Sequence, residues 1–84
     1  MDLEPIRDYI CRRLLRPGAP LPGDEAPLFS NGLIDSFGVL ELITFLEERY
    51  GINIDTTRHE ILEFDTVLKI ARVVTEEGGD LAHA

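Results

Sequence analysis

The sequence predicts a small all-α bundle. Three observations carry that prediction. Apolar residues recur at helical spacing in three separate segments. Only Ile52-Asn53-Ile54 alternates like a strand, and three residues cannot build a sheet. Four prolines and three glycines lie between residues 17 and 34, which confines the one long irregular stretch to a single loop. With 84 residues, the chain fits one domain with a modest core. Residues 1–78 are read as that domain and 79–84 as a frayed tail.

The first helix is expected over residues 3–15. Leu3, Ile6, Ile10 and Leu14 share a face, while Arg7, Asp8, Arg12 and Arg13 fall elsewhere. Asp2 or Glu4 can cap its start, Pro5 is tolerated in its first turn, and Pro17-Gly18 ends it. The loop 17–34 follows. Its apolar residues Leu28, Phe29, Leu33 and Ile34 are expected to tuck its end against the core.

Residues 36–50 form the strongest helical segment, with Asp35 as N-cap and Gly51 as the stop. Val39, Leu42, Ile43, Leu46 and Tyr50 make its core stripe; Phe37, Glu41, Thr44 and Glu48 look outward. A short helix is expected near 56–62, with Ile61 and Leu62 turned inward. Asp65 can cap a last helix over 66–76 that buries Val67, Ile70, Ala71 and Val74.

Charge excludes several functions. The chain has 16 Asp+Glu against 8 Lys+Arg, a net charge of -8. A nucleic-acid backbone or an anionic membrane surface needs clustered basic residues, and neither is an expected partner. The first twenty residues are slightly basic, through Arg7, Arg12, Arg13 and Arg16; the acid lies beyond them. The N-terminus lacks the basic and apolar regions of a signal peptide, and no stretch approaches a membrane span. A cytoplasmic monomer is expected.

Catalytic patterns fail one by one. His59 and His83 have no metal-ligand spacing with a Cys or with each other, so no metal is expected. EF-hand, P-loop and nucleophile-elbow motifs are absent. The single cysteine, Cys11, lies on or beside the first helix's apolar face and reads as a packed core thiol. His59 reads as a surface residue. Without a base–nucleophile pair, the chain is expected to be non-catalytic, its function resting on a surface or an attachment point.

One constellation is informative: Gly32-Leu33-Ile34-Asp35-Ser36-Phe37-Gly38-Val39-Leu40-Glu41-Leu42. Ser36 sits where the loop meets the N-terminus of the best helix, so its hydroxyl stays accessible. A phosphate ester there would be favoured by free N–H groups and the helix dipole. Asp35 could orient the hydroxyl or help hold a metal ion during group transfer. The plain alternative is that Asp35 and Ser36 only cap the helix.

This stretch resembles the attachment motif of the carrier proteins, the acyl, peptidyl and aminoacyl carriers that bear a 4′-phosphopantetheine arm. The motif G-L-x-D-S stands here as Gly32-Leu33-Ile34-Asp35-Ser36. The resemblance extends to the Pro-rich loop, Glu47-Glu48-Arg49-Tyr50-Gly51, Ile52-Asn53-Ile54 and Phe64-Asp65-Thr66-Val67. It implies an acyl-carrier-protein-like four-helix bundle with a long first loop and a short third helix. It implies covalent phosphopantetheine on Ser36, installed from coenzyme A by a phosphopantetheinyl transferase with Mg²⁺. It implies docking of partner enzymes through Asp35, Phe37, Leu40, Glu41, Thr44, Glu47 and Glu48. The partners implied are that transferase, an activating ligase or acyltransferase, and a downstream acceptor enzyme.

Phe37-Gly38 replaces the Leu common after the serine in fatty-acid carriers, and Thr44 replaces an apolar residue. Asp-Ser-Phe-Gly is similar to the D-alanyl carriers and other discrete carriers of small substrates. If the cargo were a longer acyl chain, Val39, Ile43, Ile61, Leu62 and Val67 would line its shelter. The rival reading is an unmodified acidic helical interaction domain; a small hydrolase using Ser36 lacks a base.

Overall fold

The computed structural model describes residues 2–82, and among them it is all-helical, with no strand. Helix α1 spans Glu4–Tyr9 and runs into a π-helical turn, Ile10–Leu14. Helix α2 spans Ser36–Tyr50 and α3 spans Val67–Glu76. Between them lies a 3₁₀ turn, Ile61–Phe64. The short third helix expected over 56–62 is this single later turn. The reason is local: Asp55 Oδ1 accepts both the N–H and the hydroxyl of Thr57, at 2.9 and 2.6 Å. That turn competes with a helix over the same residues. Ile61 and Leu62 consequently face outward rather than inward.

The π turn shifts the phase of the first helix. Leu15 N–H donates to Ile10 O at 2.9 Å, five residues back. Leu15 is therefore buried, and Leu14, expected in the core, is only half-buried. Cys11 is exposed, which overturns its reading as a core thiol. At the start of α1, Asp2 Oδ1 accepts the Glu4 N–H at 3.0 Å.

The core lies where the three helices meet: Ile6 and Ile10 from α1 and its π turn, Leu42 and Leu46 from α2, Val67, Ile70 and Val74 from α3. Leu28, Ile34 and Phe64 close it from the loop and the 3₁₀ turn. Leu33, expected to tuck in with them, is exposed. Arg7 fixes the middle of the loop, donating from Nε to Asp24 Oδ1 at 2.9 Å and from a second nitrogen to Oδ2. Asp24 O in turn accepts the Leu68 N–H at 3.1 Å, so one residue joins α1, loop and α3.

The tail is not frayed over its described part. Leu81 is buried, its carbonyl accepts the Asp2 N–H at 2.8 Å, and Gly79 N–H donates to Val74 O at 2.8 Å. His83 lies outside the described residues. No helix among the described residues is long and apolar enough to cross a membrane.

Candidate functional site

Asp35 caps α2 as its residue type predicts. Its backbone is extended, and its side chain accepts the Gly38 N–H at 3.1 Å. Gly51, with φ 66°, stops the helix in the left-handed conformation. Ser36 is the first residue of α2 and is exposed. Its hydroxyl thus stands at the positive end of a helix fifteen residues long.

Two features fix the loop that leads to it. The first is Gly38. It is buried, and a Cβ there would lie 2.5 Å from Ile34 Cγ2, with Leu14 and Phe29 close behind. Any larger residue would press on the Ile34 side chain, which gives the glycine after Phe37 a packing reason. The second is Asp65, expected as the cap of α3. Thr66 performs that capping, accepting the Lys69 N–H at 3.0 Å. Asp65 is buried and reaches the loop instead. Its Oδ1 accepts the N–H groups of Leu28, Phe29 and Ser30 at 3.2, 2.7 and 2.9 Å, and Oδ2 accepts the Ser30 hydroxyl at 2.8 Å. Burial alone would raise its pKa. The donors from Ser30, Phe29 and Leu28 outweigh that and hold it down to about 2. Ile34 N–H then donates to Leu28 O at 2.8 Å, which carries the constraint to within two residues of Ser36.

Beside Ser36 lies a groove of about 270 Å³, lined chiefly by Val39, Leu40, Ile43, Ile61 and Phe64, with Thr56 and His59 as its polar groups. Of the residues expected to shelter a cargo, Val39, Ile43 and Ile61 line it. Leu62 points outward and Val67 is fully buried in the core. His59 is not a surface residue: its side chain is 5 % exposed. Its nitrogens meet Glu77 at 2.8 Å and Glu63 at 3.0 Å, and these two hydrogen bonds raise its pKa against burial. Its bulk and polarity gave no periodic signal that could have revealed the bridge. His59, Glu63 and Glu76 also bring ligand-type atoms within 4.8 Å of one another, but both ring nitrogens are already engaged.

The outward face of α2 holds Phe37, 75 % exposed, and Leu40, 59 % exposed. Glu41, Thr44 and Glu48 are exposed beside them. Thr44 turns its hydroxyl back to Leu40 O at 3.1 Å. Glu47 is half-buried, and its Oε2 accepts the Ile54 N–H at 2.9 Å, so it also holds the chain after α2 in place. Arg13 borders this face, on the rim of a depression shared with Asp35, Phe37 and Glu41.

Ser36 thus stands exposed at a helix start, with a pinned approach loop and an apolar groove alongside. The chain belongs to the phosphopantetheine attachment site family, whose model matches residues 4–74. It is 39 % identical over 52 residues to the D-alanyl carrier protein of Bacillus velezensis, a match covering 62 % of this chain and 67 % of that one. It is 36 % identical over 52 residues to the D-alanyl carrier protein of Bacillus pumilus, with the same coverage. No solved structure matches. The cofactor is covalently attached 4′-phosphopantetheine. The residues present suit it, with a free-standing hydroxyl for the phosphodiester and an apolar groove for the pantetheine chain.

Proposed function

We propose that Ser36 is the attachment residue and that the chain is a discrete, non-catalytic, cytoplasmic aminoacyl carrier. The terminal thiol of the bound arm holds the cargo as a thioester. The protein's own residues do the presenting. Asp35 and the Asp65-tied loop fix the Ser36 hydroxyl. The two N–H groups at the start of α2 that have no intrahelical acceptor favour the phosphodiester. Val39, Ile43, Ile61 and Phe64 offer the arm a dry wall.

The single observation that carries this reading is Ser36 exposed at the start of α2 beside that groove. The cargo is a small amino acid, D-alanine or one of its size. The relatives named as D-alanyl carriers support this. An adenylating ligase loads it. Phosphopantetheinyl transferase, ligase and acceptor dock on Phe37, Leu40, Glu41, Thr44 and Glu48, by charge steering and apolar contact.

The test is intact mass after incubation with coenzyme A, Mg²⁺ and a broad-specificity phosphopantetheinyl transferase. One arm is gained by the native chain and none by Ser36→Ala. No gain by the native chain would return the domain to an unmodified acidic interaction module. Loading of the armed protein by a D-alanine-activating ligase then checks the cargo.

A further inference from the structure

His59 stands where the groove wall meets the end of α3. Its ring lines the groove with Ile43, Ile61 and Phe64, and lies edge-on to Phe64 with centroids 6.3 Å apart. Nδ1 lies 3.0 Å from Glu63 Oε1 in the 3₁₀ turn, and Nε2 lies 2.8 Å from Glu77 Oε1 just beyond α3.

Only an imidazolium has two N–H donors; the neutral ring has one. On deprotonation, one carboxylate must face a nitrogen lone pair, and that contact becomes repulsive. Exposure decides which one leaves. Glu63 is 41 % exposed and can turn its Oε1 to water while Oε2 keeps the Glu60 N–H at 2.7 Å, whereas Glu77 is 13 % exposed and would stay desolvated without its donor. The remaining proton therefore stays on Nε2. The groups facing the ring are mostly acidic: Asp55 on its own segment, Glu63 in the turn, and Glu76 and Glu77 from α3. Lys69 and Arg72 flank Glu63 and Glu76 on the outer surface.

We propose that His59 is a proton-operated latch on the groove beside Ser36. Charged, it ties the turn that carries Ile61 to the end of α3 and holds the wall against α2. Neutral, it keeps Glu77 and releases Glu63, so that the exposed Ile61 end of the turn can shift while Phe64 and Asp65 stay buried. Its use, widening the space that arm and cargo share, rests on the carrier reading; its operation does not.

The test is NMR on the unmodified full chain carrying His83→Gln, so that one imidazole reports. Long-range ¹⁵N spectra of the ring and methyl spectra of Ile43 and Ile61 are followed between about pH 5 and 9. The ring loses its proton above the ordinary histidine range, the last proton stays on Nε2, and the Ile61 methyls shift with the same midpoint. Glu63→Gln supplies an amide donor to the neutral Nδ1, so the ring still titrates but the Ile61 shift disappears. Ile61 methyls that stay still through the ring's titration, a proton left on Nδ1, or the same shift in Glu63→Gln would overturn the latch. The unmodified chain keeps the two readings apart: a missing mass gain sinks the carrier assignment alone, and a silent Ile61 sinks the latch alone.

Discussion

Ser30 donates twice to Asp65, from its N–H to Oδ1 at 2.9 Å and from its hydroxyl to Oδ2 at 2.8 Å. With the Leu28 and Phe29 N–H groups on the same carboxylate, one buried anion satisfies a whole loop turn. Removing the carboxylate leaves the Phe29 N–H and both Ser30 donors without it, whereas the Leu28 N–H keeps the Asp65 backbone carbonyl at 2.7 Å.

Asp65→Ala is expected to lower stability by about 2–3 kcal/mol, read as the shift of a urea unfolding curve. It should also slow arm installation, because the loop before Ser36 loses its anchor. Ser30→Ala removes only the hydroxyl donor and should cost about 1 kcal/mol. Equal losses in the two variants would mean that the backbone donors contribute little.

Stability should fall at both ends of the pH scale. The Asp65 carboxyl is depressed in the fold, so its contribution is present above its unfolded pKa of about 4 and is lost as pH drops through about 2. The shift corresponds to about 2 kcal/mol. His59 is raised in the fold, so its contribution is complete below about pH 6.5 and is lost as pH rises through its folded pKa. Thermal melts across pH check both arms. Asp65→Asn should reduce the acid arm and leave the alkaline arm unchanged. His59→Gln should remove the alkaline arm and also weaken the acid arm through Glu63, whose carboxyl the His59 hydrogen bond holds down.

Gly38→Ala places a methyl 2.5 Å from Ile34 Cγ2. Overpacking of this kind costs about 1–3 kcal/mol. Ile34→Ala alone opens a cavity, but combined with Gly38→Ala it removes the clash, so the double variant should be more stable than the sum of the two losses. Strict additivity would show that the crossing is looser than the geometry says.

Charge reversal at Glu41 and Glu48 should slow arm installation and loading several-fold, with helical circular dichroism unchanged. High salt should slow the native chain in the same direction. Phe37→Ala should weaken docking with little dependence on salt, because its contribution is apolar contact. Unchanged rates in the reversed variant would remove the acidic face from the mechanism.

Cys11 should react with an alkylating reagent in the native protein as fast as in the unfolded chain, since it is exposed. Arm installation after alkylation should be unaffected. On the alkylated protein a thiol titration reads none before installation and one after it, and on the unalkylated protein one and then two, which counts the arm independently of mass.

Much of α2 was legible because its signals are local. Asp35 caps within three residues, Gly51 stops the next turn, and the apolar period is unbroken. Asp65 and His59 were not legible, because each acts on partners far along the chain or on another element. A sequence pattern reports only the neighbours within a turn or two. The first helix fell between these cases. Leu3, Ile6 and Ile10 read correctly, but a π turn moves the next core position from Leu14 to Leu15, and no residue type announces such a turn. Around residue 57, a Thr placed two after an Asp was the missed sign of a turn where a helix was expected.

The distance in sequence between Asp65 and the loop it holds has a bearing on biosynthesis. The turn Leu28–Ser30 gains its carboxylate anchor only when Asp65 has been made and packs beneath the loop. If attachment is at Ser36 as proposed, the loop that leads to the serine is therefore set only in a chain that includes Asp65. A transferase that reads the displayed loop rather than the bare motif would pass over nascent and truncated copies, and coenzyme A would be consumed only on molecules able to carry cargo.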